Sequence, residues 1–183
     1  MPTILDLCGG TGAWSRPYAE AGYEVVLVTL PTDVRTWSWS GGPVQGVLAA
    51  PPCTEFAVSG ARWWAGKPPE LLIEAKEVAR ACLRIIDEVQ PVWWALENPV
   101  GRISQEVPEL GKWSYTFQPW QYGDPETKRT CIWGKHVRPE PTIHIKPDVV
   151  EARVHRLPPT PERAMLRSIT PAGYANAFFR SNL

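Results

Sequence analysis

Two short motifs in this sequence hold side chains suited to covalent chemistry, Pro51-Pro52-Cys53 and Glu97-Asn98-Pro99. Cys53 stands at the tip of a proline-stiffened turn after the apolar run Gly46-Val47-Leu48-Ala49-Ala50. A cysteine is more often a small buried apolar residue than a nucleophile, so the turn alone leaves both readings open. Glu97 follows Ala95-Leu96 directly, where burial raises a carboxyl pKa and allows the group to donate a proton. A thiol and a proton-donating carboxyl at neighbouring strand ends suit covalent attack on an unactivated ring carbon.

A third motif supplies the other half of such a reaction. Asp6-Leu7-Cys8-Gly9-Gly10-Thr11-Gly12 is a glycine-rich turn against which a ligand can lie, either a dinucleotide phosphate or the amino-acid end of S-adenosylmethionine. Spacing favours the second. A dinucleotide pattern begun at Gly10 needs a glycine where Ser15 stands, and Asp6 just before the turn suits an ammonium group. With a methyl donor beside Cys53 and Glu97, one reaction accounts for all three motifs. The thiolate adds to carbon 6 of a cytosine while the acid protonates ring nitrogen 3, and carbon 5 becomes nucleophilic toward the methyl group.

These motifs need strands and helices to hold them. Thr3-Ile4-Leu5-Asp6-Leu7 predicts a strand, the glycine turn follows, and Ser15 is placed to cap a helix running to about Ala21. Tyr23–Thr29 is a continuous β-branched run, expected to be a strand buried on both faces, and Val44–Ala50 is the strand that ends at Pro51. Thr54–Pro68 has no clear period and reads as a mobile loop beside the site. Residues 70–89 repeat apolar positions every three or four residues after Pro69, which predicts the longest helix. Val92–Leu96, Tyr115–Phe117 and Thr130–Trp133 read as later strands. Thr160-Pro161 and Thr170-Pro171 each predict a cap followed by a short helix, over about 161–168 and 171–180. Polar groups at strand ends are where open α/β sheets place their chemistry.

Composition sets outer limits. The 183 residues, 44% hydrophobic and 10% aromatic, predict one compact domain and exclude a disordered chain. No long apolar stretch and no basic leader followed by an apolar core is visible, so the expectation is a cytoplasmic protein without a membrane partner. The four cysteines form no CxxC pair and read as reduced thiols, and the three histidines lack metal-ligand spacing, so no metal is expected. Net charge is zero but uneven. Residues 1–127 hold 9 Lys and Arg against 15 Asp and Glu, a net of −6, and residues 128–183 hold 10 against 4, a net of +6. The basic end suits a phosphate backbone, or the two halves simply neutralise each other.

The order of the motifs resembles the DNA (cytosine-5) methyltransferases, above all the short phage and prophage members. The resemblance spans the cofactor turn Asp6–Trp14, Pro51-Pro52-Cys53, Glu97-Asn98-Pro99 in place of the family's Glu-Asn-Val, Tyr122-Gly123-Asp124-Pro125 with Lys128-Arg129-Thr130, and Thr170–Phe178. It implies an α/β fold of the class I SAM-dependent methyltransferase type, Rossmann-like, with a mostly parallel sheet and helices on both faces. It also implies S-adenosyl-L-methionine as methyl donor and DNA as acceptor, in the host cytoplasm if the gene belongs to a phage.

Residue by residue, the resemblance makes Cys53 the nucleophile and Glu97 the group at ring nitrogen 3 and the exocyclic amine. Arg129 becomes the clamp on the cytosine carbonyl, steadying the cysteine region. Donor contacts fall to Asp6, Leu7, Cys8, Gly9, Gly10, Gly12, Pro51 and Asn176, with Trp14 packing on the adenine and Asp33 reaching its amine. Trp14 as plain core, Asp33 as a turn former and Arg129 as a surface charge are the alternatives, and the other matches favour the functional reading of all three. Pro52, Asn98, Pro99 and Lys128 fall to the substrate.

The chain also departs from the family. Strand 2 ends in Val28-Thr29-Leu30-Pro31, without the acidic residue that grips the donor's ribose. Only Gly134–Arg167 is available where larger members have a recognition domain, so a single catalytic domain with short, loose or partner-supplied specificity is expected. The target base must be flipped out or already single-stranded. Arg62, Trp63 and Trp64 in the Thr54–Gly66 loop suit stacking on bases or filling the gap, or else form an apolar lid over the donor. A free pyrimidine nucleotide, RNA, a modified sulfonium donor, or a noncatalytic DNA-binding role are the alternatives. Recognition sequence and oligomeric state are not legible.

Overall fold

Alternation along the strands builds the protein in three layers. A computed structural model of the chain describes residues 1–152, 160 and 162–183. Six strands form one sheet in the order β2-β1-β3-β4-β6-β5. They are β1 (Thr3–Leu7), β2 (Glu24–Val28), β3 (Val44–Ala49), β4 (Trp93–Pro99), β5 (Tyr115–Phe117) and β6 (Thr130–Lys135). The pairs β1–β2, β1–β3 and β3–β4 are parallel, whereas β6 runs antiparallel to both β4 and β5.

Successive side chains leave a strand on opposite faces. Leu5, Leu7, Val47, Ala49, Leu96 and Trp133 therefore meet helix α2 (Pro69–Val89) through Ala79, Cys82, Ile85 and Ile86. Ile4, Leu48, Trp93, Ala95 and Ile132 face the other way, toward Trp14 and Tyr18 at helix α1 (Arg16–Glu20) and Tyr174 and Phe178 of the C-terminal helix, Ala172–Ser181. Two shorter helices are α3 (Ile103–Glu106) and α4 (Arg163–Ser168), which makes the C-terminal helix α5. The mostly parallel sheet with helices on both faces is the architecture anticipated above.

Several local expectations change. β2 is not buried on both faces: it is the sheet edge, with Glu24 and Leu27 exposed, because no strand pairs with its outer side. Ser15 holds the N-cap position of α1 but makes no capping bond, since its hydroxyl is turned to Asp6 instead. Thr170 gives way to Pro171 as the cap of α5, and α4 starts from Glu162. Pro161 itself lies outside the described residues.

The largest change concerns Thr54–Pro68. Val58–Gly66 is wound as a 3₁₀ segment rather than an irregular loop. Its fastenings are distant in sequence: Val58 N donates to Val100 O (2.9 Å), Arg102 N to Phe56 O (2.9 Å), and Lys67 Nζ bridges both carboxylate oxygens of Glu55 (2.8 Å each). The backbones meet so closely at Gly101 that a Cβ there would sit 1.9 Å from Phe56 O. No helix among the described residues is long and apolar enough to cross a membrane.

Candidate functional site

The parallel register of β3 and β4 decides where the reactive groups fall. The final pair is Ala49 with Leu96, so the Pro51-Pro52-Cys53 turn leaves β3 alongside Glu97-Asn98 of β4. Asn98 is buried and donates from Nδ2 to the Pro51 carbonyl at 3.0 Å, tying the two strand ends together. Beyond the turn, Phe56 N and Ala57 N donate to the Cys53 carbonyl (3.0 and 2.8 Å), which coils the chain back and leaves the thiol half-buried.

Cys53, Glu97 and Lys128 form one electrostatic unit. Burial pushes the Cys53 thiol up, the Glu97 charge adds to this, and Lys128 and Arg167 oppose it. Burial likewise raises Glu97 above the ordinary glutamate range, again against the pull of Lys128. Glu97 is therefore suited to hold a proton, and its Oε2 has no partner among the described residues. A cavity of about 300 Å³ opens beside the thiol, walled by Cys53, Val58, Pro99, Lys128, Arg129 and Arg167 among others. Lys128 also walls a small space in front of Glu97, together with Phe117, Thr130 and Tyr174.

The roles expected of Lys128 and Arg129 are partly exchanged. Entering β6, Lys128 and Thr130 turn inward and Arg129 outward, the period of two of an extended chain. Arg129 is exposed at the rim of the 300 Å³ cavity and reaches Thr116 Oγ1 at 3.4 Å. It does not brace the cysteine turn. The buried cation that acts on both thiol and carboxyl is Lys128.

On the other side of the glycine turn, Cys8, Leu30, Asp33, Val34 and Pro52 line a cavity of about 280 Å³ at the carboxyl ends of β1 and β2. Asp33 is engaged: Arg35 binds its carboxylate at 2.7 Å and holds its pKa below the usual range. A second space of about 600 Å³ adjoins the turn at Thr11 and Ala13 and includes Asn176 and Asp124. Asn176 is exposed there and donates to Ala172 O one turn back. Asp124 Oδ2 accepts from Gly173 N at 2.9 Å and pins the start of α5. Gly10 and Gly12 take positive φ values, as the sharp turn requires, and so does Cys8 (φ 59°). Pro51 is buried, and Leu7 is wholly in the core.

Asp6 and Trp14 are placed differently from the expectation. The Asp6 side chain is fully buried beneath the turn, where its Oδ2 accepts from the Ser15 hydroxyl, and a Cβ on Gly9 would meet its Oδ1 at 2.2 Å. That position props the loop from below and offers no surface to an ammonium group. Trp14 is 2% exposed, with its ring edge-on to Phe178 at 5.4 Å and tilted against Tyr174 at 6.2 Å. It is core, because it lies on the α1–α5 side of the sheet and away from the cavity that Pro52 and Asp33 line.

The glycine turn, flanked by one cavity with an apolar wall and a carboxylate rim and another with an exposed amide, fits an adenosyl group and an amino-acid tail. Cys8, Leu30, Val34 and Pro52 would hold the first, and the turn's backbone with Asn176 the second. Among the described residues no cluster of His, Cys, Asp and Glu could hold a metal ion.

Three groups at the site have no signal in the local sequence. Arg167 of α4 crosses to the Cys53 mouth, where its guanidinium donates to Ser59 Oγ at 3.2 Å. Arg102 stacks its guanidinium on Trp64 at 4.0 Å and donates to Glu55 O at 3.0 Å, which fixes that tryptophan. Glu55 and Lys67 form a largely buried ion pair beside the same turn. Each joins positions far apart in the chain. Trp63 and Arg62 remain exposed, the guanidinium 5.0 Å from the ring centroid.

No family profile and no curated protein matches this sequence. Among solved structures, a prophage-encoded candidate DNA modification methyltransferase of E. coli aligns with a TM-score of 0.50 and 17% identity, over 74% of this chain and 47% of that one. The Dnmt2 methyltransferase of S. pombe aligns with a TM-score of 0.46 and 12% identity, over 74% of this chain and 49% of the other. The chain thus spans about half the length of both. At this identity the likeness concerns the fold alone, an α/β fold with a mostly parallel six-stranded sheet that this chain shares with the prophage protein.

Proposed function

We propose that the protein transfers a methyl group from S-adenosylmethionine to carbon 5 of cytosine in DNA through a covalent Cys53 adduct. The observation that carries the reading is the Cys53–Lys128–Glu97 unit at adjacent strand ends, joined by the Asn98–Pro51 bond and set next to the glycine turn. When bound, the donor supplies an electrophilic methyl on a sulfonium. Cys53 loses its proton to solvent, favoured by Lys128 and Arg167, and its sulfur bonds to carbon 6 of the ring.

Protonated Glu97 gives its proton to ring nitrogen 3, so the electrons displaced from the carbon 5–carbon 6 double bond reside at carbon 5 and not on nitrogen. Carbon 5 then takes the methyl group. Loss of the carbon 5 proton to a base expels Cys53 sulfur and restores the double bond, and nitrogen 3 returns its proton to Glu97. Lys128 favours the Cys53 thiolate, while burial, acting against Lys128, keeps the proton on Glu97. Arg129, at the cavity rim, is placed to meet the base or its backbone. Only Gly134–Arg167 lies between the Lys128-Arg129-Thr130 segment and α5, so what this stretch itself reads beyond the target base is short or loose.

The test is incubation of wild type and Cys53→Ala with labelled donor and mixed-sequence DNA, followed by nucleoside analysis by mass spectrometry. The expected product is 5-methyldeoxycytidine from wild type alone. Methylation by Cys53→Ala at the wild-type rate, or label on another base or atom, overturns the reading.

A further inference from the structure

The 300 Å³ cavity beside Cys53 does not end at the thiol. A second space of about 510 Å³ shares Cys53, Ser59 and Arg167 with it, so the two are arms of one branched cleft. The outer arm differs in chemistry from the inner one. Arg62, Trp63, Arg163 and Arg167 line it, and no carboxylate lines either arm among the described residues. Lys67, also at its wall, is neutralised by Glu55, but Arg62, Arg163 and Arg167 make no ion pair among the described residues. Trp63 is 61% exposed although Arg62 covers part of its ring.

Three guanidinium groups without an ion-pair partner among the described residues, one with its Nε buried and unpartnered, and an exposed indole make a cationic, aromatic wall next to the thiol. Together they match a phosphodiester and an unstacked base. Guanidinium forks bind phosphate oxygens, and an aromatic face stacks on any base irrespective of sequence. The inner arm is walled by apolar Val58, Pro99 and Val100 and ends at Cys53, which suits a single ring.

We propose that the outer arm is a subsite for the phosphate and base of the nucleotide next to the target cytosine, so that the acceptor is a single DNA strand and not a free nucleotide. The inference rests on the methyl-transfer reading for the inner arm, but its binding consequence stands apart from turnover. Sequence selection then extends little beyond one neighbouring base, and stacking makes that selection weak.

The experiment has two readouts. Fluorescence anisotropy measures binding of a labelled single-stranded trinucleotide with a central cytosine, in competition with unlabelled dCMP. Transfer from labelled donor measures kcat/KM for dCMP, the trinucleotide and a longer single strand. The trinucleotide is expected to bind at least ~10-fold more tightly than dCMP, and lengthening it should add little. Trp63→Ala and the double variant Arg163→Ala, Arg167→Ala should each weaken trinucleotide binding at least ~10-fold more than dCMP binding, and the double variant should flatten the salt dependence by about one unit of slope.

Equal affinity for dCMP and the trinucleotide, or equal losses on both ligands in these variants, overturns the subsite. If the trinucleotide binds as expected but no acceptor is ever methylated, the methyl-transfer reading fails while the subsite stands. Circular dichroism of each variant separates loss of the subsite from loss of the fold, and Arg62→Lys, which keeps the charge but not the planar fork, should give an intermediate loss.

Discussion

Asn98 Nδ2 donates to the carbonyl of Pro51 across 3.0 Å, and this buried bond couples the strand end that carries the carboxyl to the turn that carries the thiol. Neither residue reacts. The distance between Cys53 and Glu97 nevertheless depends on them, because the β3–β4 ladder ends at Ala49 and Leu96, although β4 stays paired with β6 through Pro99.

Asn98→Ala leaves the Pro51 carbonyl buried without a donor, which costs about 1–3 kcal/mol of stability. The turn is also freed to shift. Methyl transfer should fall by about 10- to 100-fold in kcat with a smaller change in KM, since a displacement near 1 Å is enough for such a loss. Urea unfolding measures the first effect and steady-state kinetics the second. Full activity in a destabilised variant would mean that the bond serves folding alone.

Lys128 lowers the pKa of both Cys53 and Glu97, so removing its charge moves both upward. The reaction needs thiolate and protonated carboxyl together while burial holds the thiol above its ordinary value, so the kcat/KM profile should be a reverse-protonation bell, its rising limb set by the carboxyl and its falling limb by the thiol. In Lys128→Met both limbs shift to higher pH. A profile that loses height without moving would remove Lys128 from the unit.

Burial lifts the Asp6 carboxyl from 3.8 to about 6, with the Ser15 hydroxyl as the opposing influence. The folded chain therefore holds this proton more tightly than the unfolded chain does. Its contribution to stability is greatest below about pH 4 and declines as pH rises to about 6, by ~3 kcal/mol in all. Glu97, raised by burial too, adds a slope of the same sign. Asp6→Asn keeps the shape and the acceptor for Ser15, so it should flatten the fall and raise stability at neutral pH. Urea denaturation at about pH 4 and about pH 7 tests this, and an unchanged slope would show that Asp6 is ionised throughout.

Trp14 supplies a direct check on its place in the core. Trp14→Ala should cost ~3–5 kcal/mol through the cavity left against Tyr174 and Phe178. Trp14→Phe should cost far less and leave the affinity for S-adenosylmethionine, measured by calorimetry, unchanged. Weakened donor binding in a fully stable Trp14→Phe would return the ring to the cofactor.

The motifs were legible because each combines chemistry with a strand end. An apolar run followed by Pro-Pro-Cys or Glu-Asn-Pro states both where a strand stops and what stands there, and the apolar period of residues 69–89 states a helix by itself. That local information placed Cys53 and Glu97 at carboxyl ends of strands and the glycine turn between β1 and α1. It did not say that β3 and β4 are neighbours with Ala49 opposite Leu96, since register is a long-range pairing. Nor did it say which of Lys128 and Arg129 turns inward, because that alternation is set by the start of β6 against Pro99.

The same limit explains Trp14, Asp6 and the 3₁₀ segment. A tryptophan after a glycine turn reads alike as core or as a ligand platform until α5 arrives from the other end of the chain to cover it. Val58–Gly66 has no period of its own, and contacts from Val100, Arg102 and Glu55 decide its shape. Arg167 reaches the thiol only because α4 folds back over the mouth. The sequence by itself determined the reactive groups and the elements that bear them. Tertiary structure decided their register, their protonation and the charged surroundings of the cleft, because pairing, burial and charge proximity are properties of distant segments brought together.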